Sequence, residues 1–167
     1  EIAAVLTQVL VDPGDSAFST PSKPVGPYYT EEVAEGLISS RGWMMKERAD
    51  RGWRRVVPSP RPLEIVELHT IMDAVRHGHL VIAGGGGGIP VIRDEKGELS
   101  GVEAVIDKDL TACKLALATG AERFVILTDV PHVSTGFGSA SERRIDRMKA
   151  PLARRLLTRG EFPPGSM

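Results

Sequence analysis

Five consecutive glycines, Gly84 to Gly88, follow the apolar run Leu80-Val81-Ile82-Ala83 and lead into Ile89-Pro90-Val91. A glycine row directly after a strand leaves backbone N–H groups bare. It also admits φ > 0 and lets a ligand approach without meeting a Cβ. Taken alone, the row reads equally as a phosphate cradle or as a slack loop.

Periodicity supplies the context. Residues 3–11, Ala-Ala-Val-Leu-Thr-Gln-Val-Leu-Val, form an apolar run with β-branched members and predict a buried strand. Residues 12–27 are rich in Pro and Gly, which predicts an extended, ordered excursion without regular structure. Thr30 is the expected N-cap of a helix with Val33, Ala34, Leu37 and Ile38 on its apolar stripe, ended by Gly42. Two short strands, 43–46 and 53–57, are expected around a turn, and the spacing predicts a helix from about Glu64 to His77. A helix is expected from Leu110 to Thr119, stopped by Gly120, and Phe124 to Thr128 reads as a strand buried on both faces. The alternation predicts an α/β fold with a mainly parallel sheet sandwiched by helices and ligands at the carboxyl ends of strands. Residues 12–60 interrupt it and are expected to form an inserted subdomain.

Composition narrows the partners. A chain of 167 residues, 41% of them hydrophobic and 26% charged, is expected to make one globular domain. With 21 basic against 22 acidic side chains there is no global field to attract nucleic acid or anionic lipid, so a small-molecule partner is expected. The single cysteine, Cys113, excludes an internal disulfide and reads as a small apolar residue on a helix. No apolar run approaches ~20 residues and no signal segment opens the chain, which predicts a soluble, cytoplasmic protein without a membrane partner.

Three segments would carry chemistry if the strand ends align: the glycine row, Val102 to Asp109, and Leu127 to Val130. Lys108 and Asp109 stand where an extended run gives way to a helix, so amides and an ammonium could face one anion. Phosphoryl transfer needs such placed donors more than covalent help. The alternative is that Asp107 or Asp109 caps the helix and Lys108 is solvated surface. The four histidines lack metal-site spacing. Trp43 and Trp53 read as packing residues, and Arg51, Arg54 and Arg55 as a solvated hairpin face or an attractor of anions. The basic stretch 143–159 reads as an amphipathic helix carrying Leu152, Leu156 and Leu157.

Six strings in order then carry a resemblance: Leu6 to Pro13, Pro21 to Pro27, Arg51 to Pro60, Gly84 to Pro90, Gly101 to Asp109, and Pro164-Gly165-Ser166-Met167. They resemble the carbamate kinase branch of the amino-acid kinase family, nearly end to end. The resemblance implies a homodimeric enzyme of arginine metabolism that interconverts ATP plus carbamate with ADP plus carbamoyl phosphate, with Mg²⁺ on the nucleotide. It implies that Lys108 stabilises the transferring phosphoryl group, that Asp109 organises the lysines, and that Lys23 reaches carbamate or the γ-phosphate. Gly84, Gly85, Gly86 and Gly87 would line the phosphate site, and Thr128, Asp129 and Val130 would border the adenine. Residues 12–60 would be a protruding lid.

The family pattern also includes a Gly-Gly-Asn loop ahead of the first string and a Pro-Lys segment beyond the last. Residues 1–167 are therefore expected to be a central piece, about half of a usual member. Each missing element would remove about 3 kcal/mol of transition-state stabilisation and leave the piece nearly inactive. Pro131-His132 departs from the acidic residue and tyrosine usual near the adenine. The alternatives are a kinase of the acetylglutamate type, opposed by the strings around Lys23 and Arg51 to Pro60, and an inactive nucleotide-binding or dimerisation module.

Overall fold

The computed structural model describes residues 1–49, 51–128 and 130–162. The chain divides into two compact units, Glu1–Phe124 and Val125–Met167.

The core of the first unit is a parallel pairing of two chain segments. β1 (Ile2–Ala4) lies parallel to β7 (Leu80–Ile82), and β2 (Gln8–Leu10) lies parallel to β8 (Ile89–Arg93). Ile2 stands opposite Leu80, a separation of 78 positions, whereas Gln8 stands opposite Ile89, a separation of 81. Three extra residues are therefore extruded between β7 and β8, and the glycine row is where they leave the ladder. The predicted single strand over 3–11 is accordingly two strands. Its break at residues 5–7 lies opposite the glycines, because Val5 donates to Ile82 and the Thr7 carbonyl accepts from Ile89 at 2.8 Å.

Antiparallel strands flank this centre. β6 (Glu64–Ile65) pairs with β2, and β9 (Leu99–Gly101) pairs with β8. The expected helix over 64–77 is thus shorter, α2 (Leu68–Arg76), because Ile65 is drawn into register with Val9. Val9, Val11, Ile65, Ile71 and Ile106 form the buried cluster, with Phe18, Val81 and Leu115 packed against it. Phe18 comes from the excursion after Asp12, whose turns are fixed by the Asp15 carboxylate accepting from the amides of Ala17 and Arg61.

A separate antiparallel sheet, ordered β3-β5-β4, comprises β3 (Lys23–Tyr29), β5 (Gly52–Val57) and β4 (Met45–Arg48). β3 corrects the expectation that residues 12–27 lack regular structure. It is an edge strand, where Pro24 and Pro27 cost no inward hydrogen bond, and the register shifts between Val25 and Tyr29. α1 (Glu31–Arg41) begins at Thr30, whose hydroxyl accepts from the Val33 amide, and ends at Gly42. Arg55 lies 4.4 Å over the Trp43 ring and Arg41 lies 5.2 Å from it, so this tryptophan packs between two guanidinium groups.

In the second unit, β10 (Val133–Thr135) pairs antiparallel with β11 (Arg143–Ile145), and α4 (Ala150–Thr158) follows. Half of the expected helix over 143–159 is thus strand and connection. No strand forms over 124–128. Val125 is 73% and Leu127 89% exposed, the reverse of burial on both faces. An apolar run becomes a strand when a neighbouring ladder receives it, and none does so among the described residues.

Candidate active site

The glycine row is held from both sides by two threonines that are not among the expected site residues. Thr7, 4% exposed, donates its hydroxyl to the Val5 carbonyl and accepts from the Gly84 amide at 2.8 Å. Thr111, 1% exposed, donates to the Gly87 carbonyl at 2.8 Å. The Gly87 amide closes the turn onto the Gly84 carbonyl, also at 2.8 Å. The only signals for these roles were a polar residue inside each of two apolar patterns.

Two of the glycines are required by close approach. At Gly87 a Cβ would collide with the Ile106 carbonyl, and at Gly88 with the Val9 side chain; their φ values are 131° and 89°. Gly85 and Gly86 face open space, and their amides have no acceptor among the described residues. Of the four glycines expected to line a phosphate site, Gly84 therefore has its amide committed to the Thr7 hydroxyl and Gly87 to the Gly84 carbonyl. Those of Gly85 and Gly86 are not so committed. Beside them lies a cleft of about 350 Å³, lined by Val5, Leu6, Thr7, Ile89 and residues 104–106 as well as the glycines.

The contact at Gly87 brings in the start of α3 (Lys108–Thr119). A Cβ at Gly87 would stand 3.4 Å from the Lys108 amide, so the helix begins against the glycine turn. Asp107 is its N-cap: Oδ1 accepts from the amides of Asp109 (2.9 Å) and Leu110 (3.4 Å). Asp107 Oδ2 accepts from Lys23 Nζ at 2.7 Å, tying β3 to this helix across 84 positions. Lys108 Nζ donates to Asp109 Oδ1 at 2.8 Å. The structure thus brings together Lys23, Lys108, Asp109 and the glycine row. Asp107 is the helix cap, as the alternative reading of the sequence had it, and it pairs Lys23 as well. Asp109 holds Lys108, while the carboxylate holding Lys23 is that of Asp107.

Charge at the helix start is set by these pairs. Burial disfavours an ionised Asp107, but the Lys23 ammonium and the Asp109 amide outweigh it and hold its carboxyl below the ordinary range. The hydrogen bond from Lys108 to Asp109, with their charge attraction, raises the Lys108 ammonium above its usual value, so it is fully charged at neutral pH. A second link joins the two sheets' segments: Arg55 pairs with Glu103 at 2.6 Å, and the Val105 amide donates to the Pro58 carbonyl.

Of the residues expected at the adenine, Thr128 and Val130 belong to the second unit, and Asp129 lies outside the described residues. Among the described residues no three His, Cys, Asp or Glu side chains converge as a metal site would require. Cys113 is exposed on α3.

Bare glycine amides, a capped helix start and two carboxylate-held ammoniums at the extrusion in a parallel ladder define an α/β domain equipped to hold anionic oxygens. The chain belongs to the amino acid kinase family, whose profile matches residues 3–167. It is 50% identical over 166 residues to the carbamate kinase of Thermococcus kodakarensis, covering 99% of this chain and 52% of that protein. With the carbamate kinase of Pyrococcus furiosus it shares 48% over 167 residues, covering 100% of this chain and 53% of that protein. A structure of carbamate kinase from Giardia lamblia bound to citric acid matches with a TM-score of 0.87 at 45% identity, over 98% of this chain and 51% of that one. The same Giardia enzyme bound to AMP-PNP matches with a TM-score of 0.83 at 44% identity, over 99% and 52%. The chain spans about half the length of the curated relatives it matches. No helix among the described residues is long and apolar enough to cross a membrane.

Proposed function

We propose that the whole protein to which these residues belong is a carbamate kinase, transferring a phosphoryl group between ATP and carbamate to give ADP and carbamoyl phosphate, reversibly. The observation that carries this reading is the pair of ammonium–carboxylate contacts, Lys23 with Asp107 and Lys108 with Asp109, at a helix start that abuts the glycine turn. Charge on a transferring phosphoryl group is spread over three oxygens, and placed donors stabilise it without reorganising.

In this reading the uncommitted amides of Gly85 and Gly86 receive phosphate oxygens, within a site lined by Gly84 to Gly87. Lys108, steadied by Asp109, neutralises charge developing on the transferred group. Lys23 approaches carbamate or the γ-phosphate from the β3-β5-β4 sheet, which serves with the rest of residues 12–60 as a lid. Thr128, Asp129 and Val130 border the adenine. Both carboxylates at the helix start are engaged by lysines, so Mg²⁺ would arrive with the nucleotide as part of the substrate and would screen its phosphate charge. The similarity to carbamate kinases supports the carbamate branch, and we extend from it a cytoplasmic homodimer acting in arginine metabolism.

The test is ATP formation from ADP and carbamoyl phosphate, followed in a coupled assay on the whole protein. Turnover is expected, and Lys108→Ala should lower kcat by ~10² or more while the fold persists. Absence of turnover with carbamoyl phosphate, or unchanged kcat in the variant, would refute the reading. A second reading, an inactive nucleotide-binding or dimerisation module, draws on the exposure of Ile2, Leu80 and Ile82 along the β1–β7 pair. An intact mass near 18.0 kDa for the purified natural protein would favour it, and one about twice that would favour the enzyme.

A further inference from the structure

Two ammonium–carboxylate pairs meet at the start of α3, and they differ in kind. Lys108 and Asp109 are sequence neighbours, whereas Lys23 reaches Asp107 from a strand of another sheet. Asp107 divides its oxygens between two tasks: Oδ1 accepts the helix amides, and Oδ2 accepts the lysine. Capping by itself requires one oxygen and no charge, since Asn and Ser cap about as well as Asp. The charge and the second oxygen of Asp107 are therefore available for Lys23.

A lysine is a point charge on a flexible four-carbon stem, and holding it in place removes the search that would otherwise precede each productive encounter. The Lys23 and Asp107 side chains are 35% and 34% exposed, enclosed enough to keep the bond yet open enough for an arriving anion to compete for the ammonium. Asp107 directly precedes Lys108, whose amide lies against Gly87. The lysine is thus parked at the edge of the glycine turn.

We propose that Asp107 is the positioning residue for Lys23: it holds the ammonium beside the glycine turn and yields it to an anionic oxygen of the substrate through their shared place at the start of α3. This inference rests on the phosphoryl-transfer reading above and assigns a role that capping alone would not give. The carboxylate itself touches no reacting atom.

The experiment is a double-mutant cycle on the whole protein, read as ATP formation from ADP and carbamoyl phosphate. Asp107→Asn keeps a capping oxygen and removes the charge; Asp107→Ser is a second cap-competent variant, to be used if the first melts early. Asp107→Asn is expected to lower kcat about tenfold, with the KM for ADP within about twofold, because a charge-assisted contact is lost while the nucleotide site stays intact. In a Lys23→Ala background the same substitution should cause no further loss, since a residue acting through another has nothing left to position. Turnover by Asp107→Asn at the wild-type rate, or losses that multiply with those of Lys23→Ala, would overturn the proposal. Lys108→Ala serves as the reference. If it collapses turnover while Asp107→Asn does not, the positioning role alone fails; if the wild-type protein forms no ATP, the phosphoryl-transfer reading fails and takes this inference with it.

Discussion

Residues 9–11 and residues 124–127 are two short apolar stretches with opposite fates. Val9 and Val11 are 0% and 1% exposed between ladders on either side, while Val125 and Leu127 are 73% and 89% exposed with no strand formed. By composition residues 124–127, with their larger side chains, have at least as much apolar surface to bury. What separates them is a receiving partner: β2 is flanked by β6 and β8, and its side chains close over Ile65, Ile71 and Ile106. A hydrophobic run specifies what a segment can do, and the neighbouring backbone decides whether it does so.

Substitutions can break this contrast. Ile106→Ala, at the centre of the buried cluster, should cost about 2–5 kcal/mol in denaturant unfolding, through lost transfer energy and the cavity left behind. Leu127→Ala in the 167-residue chain should change stability by less than about 0.5 kcal/mol. A comparable loss at Leu127 would show that the run is covered in solution after all.

The same logic sharpens within the glycine row, where two open positions, Gly85 and Gly86, precede two tight ones, Gly87 and Gly88. Gly87→Ala sets a Cβ against the Ile106 carbonyl at a φ of 131°, and should cost about 1–3 kcal/mol from backbone strain, with the clash added. Gly85→Ala meets open space at a φ of 44°, so only the left-handed backbone penalty of about 1 kcal/mol is expected. Equal effects at the two positions would mean that the turn is not locked to the start of α3.

The smallest effect is electrostatic. Asp107 titrates below its ordinary value, so the stabilisation from its pairing with Lys23 is fully present above about pH 3.8 and is lost as pH falls through the folded value. Acid unfolding curves of wild type and Asp107→Asn should therefore diverge above that window and converge below it. Curves that stay parallel down to pH 2 would show that the pair contributes nothing to the fold.

Much of the site was legible where chemistry is local. The glycine row, the Thr30 cap, the helix ending at Gly120 and the Lys108-Asp109 pair depend on neighbours within a few residues, and each stands where the residues indicate. What escaped depends on contacts far along the chain. Thr7 meets Gly84, Thr111 meets Gly87, and Lys23 meets Asp107, at separations of 77, 24 and 84 positions. The break at residues 5–7 and the short β6 strand follow from register against a partner, which periodicity within one segment cannot convey. The strand through Pro24 and Pro27 escaped for a related reason, because only its position at a sheet edge makes those prolines tolerable.

Amide NMR of the whole protein during titration with ADP and then carbamoyl phosphate would test the central claim most directly. If phosphate oxygens settle on the bare turn beside the start of α3, the Gly85, Gly86 and Asp109 amides should shift together and saturably, and Lys108→Ala should weaken that response. Saturable shifts confined to other segments, with Gly85 and Gly86 unmoved, would contradict it.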